Sequence, residues 1–124
     1  MKRIALALCM ACMALAAGAV CAKGNADKGK LLVQVPKDDK SPGKSCAMCH
    51  GEDGNGGMPA STPDQPIVAG QYYDYLVKAL SDYKSGRRTN PIMKGMAATL
   101  SKEEIEDVAA WFSSQKTTSL HTQR

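Results

Sequence analysis

Apolar positions recur along this chain at helical spacing, and no stretch alternates as a strand would. The first segment is different in kind. Lys2-Arg3 precedes an apolar run from Ile4 to Ala17 rich in Ala, Leu and Met, and Val20-Cys21-Ala22 is a small-residue cleavage site before Lys23. Residues 1–22 therefore read as a cleaved secretory signal. The run is short and Ala-rich for a membrane span. An uncleaved anchor and a lipid on Cys21 are the competing readings, and Val20 fits a lipobox poorly. From Asn25-Ala26-Asp27 a helix begins, with Leu31, Leu32 and Val35 as its apolar edge and Pro36 as its stop. Gly29 lies inside that pattern at a cost of about 1 kcal/mol against Ala, which predicts a second helix crossing closely there.

Lys37 to Ser45 is a polar loop containing Ser-Pro-Gly, and Gly51 to Pro66 is a second loop without apolar periodicity. Gln71 to Ser85 reads as a helix with Tyr72, Leu76, Ala79, Leu80 and Tyr83 on one stripe and Gly86 just beyond its end. A further loop runs from Gly86 to Pro91. Ser101-Lys102-Glu103-Glu104 is a capping box opening a helix to about Ser114. Its buried stripe is Ile105, Val108, Ala109 and Phe112, with Trp111 at the edge. The expected fold is all-α, three to four short helices in one small domain over 23–116, followed by a polar, frayed tail over 117–124.

Charge narrows the function. The chain carries +4, and loss of residues 1–22 leaves +2, with no basic run interleaved with aromatics. Nucleic acid is not an expected partner. No Ser/His/Asp set, phosphate loop or second metal cluster is visible, so the chain does not read as an enzyme.

Cysteine use narrows it further. Three of five Cys (Cys9, Cys12, Cys21) lie in the signal, leaving Cys46 and Cys49 in Cys46-Ala47-Met48-Cys49-His50. C-x-x-C-H is the attachment signature of c-type haem: two thiols form thioethers and the next imidazole ligates the iron. Cys9-Met10-Ala11-Cys12 has the same Cys spacing but is followed by Met13. A redox dithiol would want a strand-to-helix junction, and a zinc site would want more ligands than the other histidine, His121, in the tail. Haem needs only what is already present. One Phe, one Trp and four Tyr are few for a packed core, which suits a domain centred on a cofactor. Glycines in the loop after His50 suit backbone passing near a macrocycle, and equally an ordinary flexible loop. Met93 and Met96 are both candidate iron ligands, and both are ordinary gap-fillers.

From Lys23 to Gln115 the chain resembles a class I cytochrome c of the bacterial type related to cytochrome c553 and cytochrome c4 haem domains. The resemblance is carried by Cys46-Ala47-Met48-Cys49-His50-Gly51 with Asp53-Gly54-Asn55, by Pro66-Ile67-Val68-Ala69-Gly70-Gln71, and by Asn90-Pro91-Ile92-Met93. Leu100-Ser101, Ala109-Ala110-Trp111-Phe112 and Ser114-Gln115 complete it. It implies one covalent haem c held by Cys46 and Cys49, with His50 as proximal ligand. It implies that the Pro66 carbonyl accepts the second ring N–H of that histidine. Val68 stands where the family usually has Leu. In the related domains the ligating Met precedes the Leu of the last helix start by seven residues, a separation that Met93 to Leu100 has and Met96 does not. Met93 is therefore the expected distal ligand and Met96 the runner-up. The Lys37–Ser45 loop is longer than usual for the family.

The implied function is single-haem, one-electron transfer in the periplasm by a soluble monomer, with both axial positions filled. The implied partners are redox proteins: a quinol-oxidising complex or dehydrogenase as donor, a terminal oxidase or reductase as acceptor. The alternatives are a cytochrome subunit of a periplasmic dehydrogenase, or a haem sensor or enzyme with an open distal site. Lys44, Lys78 and Lys94 are solubilising charges first and steering charges second.

Overall fold

The computed structural model describes residues 23–34, 45–56 and 65–118. The signal segment, Val35, Pro36, most of the Lys37–Ser45 loop and His121 lie outside the described residues. Among the described residues there are five helices and no strand: α1 Ala26–Gln34, α2 Cys46–His50, α3 Tyr73–Ser85, α4 Pro91–Ala98 and α5 Lys102–Ser114. The all-α expectation holds, but the count of three to four is too low. The sequence places Asn90-Pro91 at the end of a loop and assigns no helix to the residues that follow. Instead Asn90 is an extended N-cap whose Oδ1 accepts the Met93 N–H at 3.0 Å, and Pro91 takes the first helical position. There its missing N–H leaves no bond unmade.

α5 is the central element. Ser101 Oγ accepts the Glu104 N–H at 3.1 Å while Glu104 Oε2 accepts the Ser101 N–H at 2.7 Å, so the capping box is closed in both directions. Ile105, Val108, Ala109 and Phe112 are all buried, as their spacing requires. α5 packs against α1 and α3; α2 then packs on α1, and α4 on α3. The core between them is Val33, Leu76, Val108, Ala109 and Phe112.

The α1–α5 contact is closer than side chains permit. A Cβ on Gly29 would lie 2.0 Å from the Asp107 carbonyl oxygen, and one on Gly24 would lie 2.2 Å from the Glu106 carbonyl. The crossing predicted at Gly29 is thus present, and it fixes the rotation of α1. Gly29 and Val33, one turn apart, face inward; Leu31 is 63% exposed. Of the expected edge of Leu31, Leu32 and Val35, Leu32 packs against the core and Leu31 does not, while Val35 lies outside the described residues. The Asn25 N–H donates to Asp107 Oδ1 at 2.6 Å, and the Gly24 N–H donates to the Tyr73 hydroxyl at 3.1 Å. The second bond ties α1 to α3.

That hydroxyl also explains a shift in α3, which starts at Tyr73 rather than Gln71. Tyr72 is its N-cap, 71% exposed, and Tyr73, Leu76, Val77 and Leu80 pack inward. Gly86 ends the helix in the left-handed region at φ +83°. Inside the last turns, Asp82 is 8% exposed and accepts hydrogen bonds from Lys78 and Arg87. First Lys78 and then Arg87 hold its carboxyl below the usual carboxylate range.

Two predictions test this packing. Gly29→Ala forces a methyl into backbone and should destabilise by about 3 kcal/mol or more, whereas Gly95→Ala meets nothing within 4 Å and should stabilise by roughly 0.5–1 kcal/mol. Urea denaturation of the holoprotein reads both. Because the folded pKa of Asp82 is depressed, its contribution is complete above the unfolded value of about 3.9 and is lost as pH falls through the folded value. The melting temperature of Asp82→Asn should lie below that of the parent at neutral pH, with the gap closing below about pH 4.

Candidate functional site

Cys46, Cys49 and His50 occupy one short helix, α2, closed by the Gly51 N–H donating to the Ala47 carbonyl at 2.8 Å. Cys46 and Ala47 lean on the core while Met48 points outward, 52% exposed. Both thiols are free and half-buried. Burial pushes the Cys46 thiol above its ordinary pKa, with a smaller push from Cys49 and an opposing backbone hydrogen bond. It is a neutral thiol at pH 7.

His50 is 8% exposed, and its Nδ1 lies 2.8 Å from the Pro66 carbonyl oxygen. A carbonyl only accepts, so Nδ1 carries the proton and Nε2 keeps its lone pair. The carbonyl is itself held. Val68 and Ala69 N–H groups donate to the Gly54 carbonyl at 2.8 and 3.0 Å, and the Gly56 N–H donates to the His50 carbonyl at 2.8 Å. The glycines here are demanded by the chain's own crossing. Gly54 has φ +80°, and a Cβ would stand 2.8 Å from both Ala69 N and a Phe112 ring carbon; one on Gly51 would stand 2.4 Å from the Gly56 carbonyl oxygen. Next to Pro66, Gln65 buries its Oε1 without a partner.

Two side chains, Asn55 and Trp111, fasten this loop to the C-terminal segment. Asn55 Nδ2 donates to Asp53 Oδ2 and to the Lys116 carbonyl, both at 2.9 Å, and its Oδ1 accepts the Thr118 N–H at 2.7 Å. The Asn55 side chain, then its backbone N–H, keeps the Asp53 carboxyl below its usual range. Trp111 Nε1–H donates to the Glu52 carbonyl at 2.8 Å. The Asx-rich Asp53-Gly54-Asn55 string signals a turn, but nothing in it names Lys116 or Thr118 as its partners.

Met93 and Met96 lie one turn apart on α4 and both are half-buried. The helix carrying His50 packs on α1 and the helix carrying the methionines packs on α3, so α5 and its two neighbours set the spacing between them. Two free thiols just before an imidazole with an available Nε2, and thioether sulfur on another arm of the fold, suit a covalently tethered haem. They do not suit zinc: among the described residues no three His, Cys, Asp or Glu groups converge as metal ligands.

Comparison with known proteins agrees. The cytochrome c family model matches residues 26–116. The chain is 46% identical to cytochrome c4 of Pseudomonas aeruginosa over 71 residues, covering 57% of this chain and 33% of that protein. It is 47% identical over 66 residues to a thiosulfate dehydrogenase electron acceptor of Stutzerimonas stutzeri, covering 53% of this chain and 29% of that one. The crystal structure of reduced cytochrome c4 from Pseudomonas stutzeri superposes with a TM-score of 0.61 at 39% identity, covering 77% of this chain and 47% of that chain. The chain thus spans between about a third and a half of the length of these relatives. With the family model matched over most of the chain and the attachment turn built as described, this protein belongs to the cytochrome c family, with covalently bound haem c as its cofactor.

Proposed function

We propose that the protein is a one-electron carrier of the periplasm whose haem iron is ligated by His50 and Met93, with Cys46 and Cys49 as the covalent anchors. The observation that carries this reading is the 2.8 Å contact between His50 Nδ1 and the Pro66 carbonyl oxygen. It holds the imidazole in one tautomer and presents Nε2 as a ligand. The bound haem supplies the redox chemistry, a change of one electron at iron with no bond made or broken in a substrate.

The remaining work is done by the chain. Half-buried Cys46 and Cys49 present their thiols from one short helix for attachment. Asn90 fastens the first turn of α4 and so limits the movement of Met93. A thioether ligand raises the potential relative to harder donors. Filling the distal position leaves no site for substrate, which makes the protein a carrier rather than a catalyst. Location follows from the export signal read in residues 1–22.

The similarity to a thiosulfate dehydrogenase electron acceptor favours a dehydrogenase as electron donor, either in transient encounters or as the partner in a lasting complex. Small, weak interfaces are normal for redox encounters. Co-purification of a larger subunit with the exported protein distinguishes the lasting complex from the free carrier.

A pyridine-haemochrome spectrum of exported protein should show one haem attached through two thioethers. Met93→Ala should abolish the thioether–iron band at the red end of the oxidised spectrum and admit carbon monoxide rapidly to the reduced protein, while Met96→Ala should keep the band. The reverse pattern transfers the ligand role to Met96. Rapid carbon monoxide binding by the unmodified protein would replace the carrier by a haem protein with an open distal site.

A further inference from the structure

Positive charge is concentrated on one corner of the fold. Between Tyr75 and Lys102 the chain carries Lys78, Lys84, Arg87, Arg88, Lys94 and Lys102 against a single acid, Asp82. Asp82 is turned inward, and it holds Lys78 and Arg87, which remain 73% and 69% exposed at their side chains. Solvent therefore meets mostly cations there, with the exposed acids Asp74, one turn before Lys78, and Glu103, next to Lys102, at its margins. The acids that follow, Glu103, Glu104, Glu106 and Asp107, belong to the first two turns of α5, where Glu104 closes the cap and Asp107 faces α1.

The cations are placed rather than scattered. The Arg88 guanidinium donates to the Tyr75 hydroxyl at 3.2 Å and lies 4.8 Å from the centre of the Tyr83 ring. Lys94 folds back over the end of α3, close enough that a Cβ on Gly86 would be 3.8 Å from its Nζ. Lys84 donates to the Leu100 carbonyl. Two hollows flank the turn after α3: one of about 360 Å³ lined by Gly86, Arg88, Asn90 and Lys94, and one of about 500 Å³ lined by Ser85, Arg87, Lys102 and Ile105. Beside them Ile92 on α4 is 67% exposed. Like charges gathered this way repel one another, whereas side chains already fixed in place lose little freedom when a partner arrives.

We propose that this α3–α4 corner is the docking surface for an acidic face of a protein redox partner, whose carboxylates seat between Arg88 and Lys94 and between Arg87 and Lys102. It rests on the carrier reading above. Two separate cation-lined hollows with an apolar side chain beside them match an extended protein surface better than one small anion, which one hollow would satisfy. The site also includes exposed Lys94 of α4, the residue next to half-buried Met93. Electrostatic steering of this kind raises association rates by roughly 10- to 1,000-fold at low salt.

The test uses the haem-loaded protein on a gold electrode coated with a carboxylate-terminated monolayer, at low ionic strength. Lys94→Glu/Lys102→Glu is compared with Lys28→Glu/Lys116→Glu, which changes net charge equally at exposed positions outside the corner. The corner pair should lower electroactive adsorption at least about 10-fold and the control pair less than about twofold, with salt or poly-L-glutamate abolishing adsorption of the parent. Equal losses in the two pairs, a loss confined to the control pair, or no loss in the corner pair overturns the docking surface. Each protein is also titrated in solution with a small redox mediator. A one-electron couple retained by all variants leaves the carrier reading standing whatever the electrode shows, and its absence in the parent refutes that reading separately.

Discussion

Everything in this small fold hangs on the place where two helices touch backbone to backbone. Gly24 and Gly29 lie against the carbonyls of Glu106 and Asp107 at distances no side chain survives. That contact joins residues about eighty positions apart and sets the rotation of α1, hence the inward position of Val33 and the seat of α2. A chain of this size buries a limited core. Close approach of helix axes at glycines lets a few side chains, Val108, Ala109 and Phe112 among them, reach neighbours on both sides.

The ligand turn inherits its precision from the same helix. α2 itself is barely more than one turn and has no side-chain cap at its start. Its stability comes from backbone bonds outside it: the Gly56 N–H on the His50 carbonyl, the Pro66 carbonyl on the imidazole, and the Gly54 carbonyl receiving Val68 and Ala69. Those loops are fastened in turn to α5, through the Gly70 N–H to the Phe112 carbonyl at 2.9 Å and Trp111 to Glu52. A histidine oriented this way depends little on its own helix.

Local chemistry was readable from residues; distant partnership was not. The Ser101–Glu104 capping box, the buried stripe of α5 and the close crossing at Gly29 each follow from short-range rules and are present in the structure. α4 escaped because Pro91 and Gly95 are helix breakers in most positions, and only the Asn90 cap makes Pro91 a start signal. The Tyr72 and Leu31 errors have another cause. Aromatic and apolar residues on both sides of the true stripe fit the helical period nearly as well, and the choice of face was made by Tyr73 reaching Gly24 and by Gly29 reaching α5. C-x-x-C-H named the attachment turn, while the bonds of Asn55 to Lys116 and Thr118 leave no trace in spacing.

The crossing of the first helix with the last also has a consequence for the order of events in the life of the chain. α1 is made early, but the surface it packs on arrives only when residues 102–114 have emerged. Until then α2 has no seated neighbour and Pro66 has no fastened loop behind it, so Cys46 and Cys49 lie on an open, solvent-accessible segment. Arrival of α5 closes that segment and buries His50. The thiols are thus most reachable while α5 is undocked, and half-buried once it has seated.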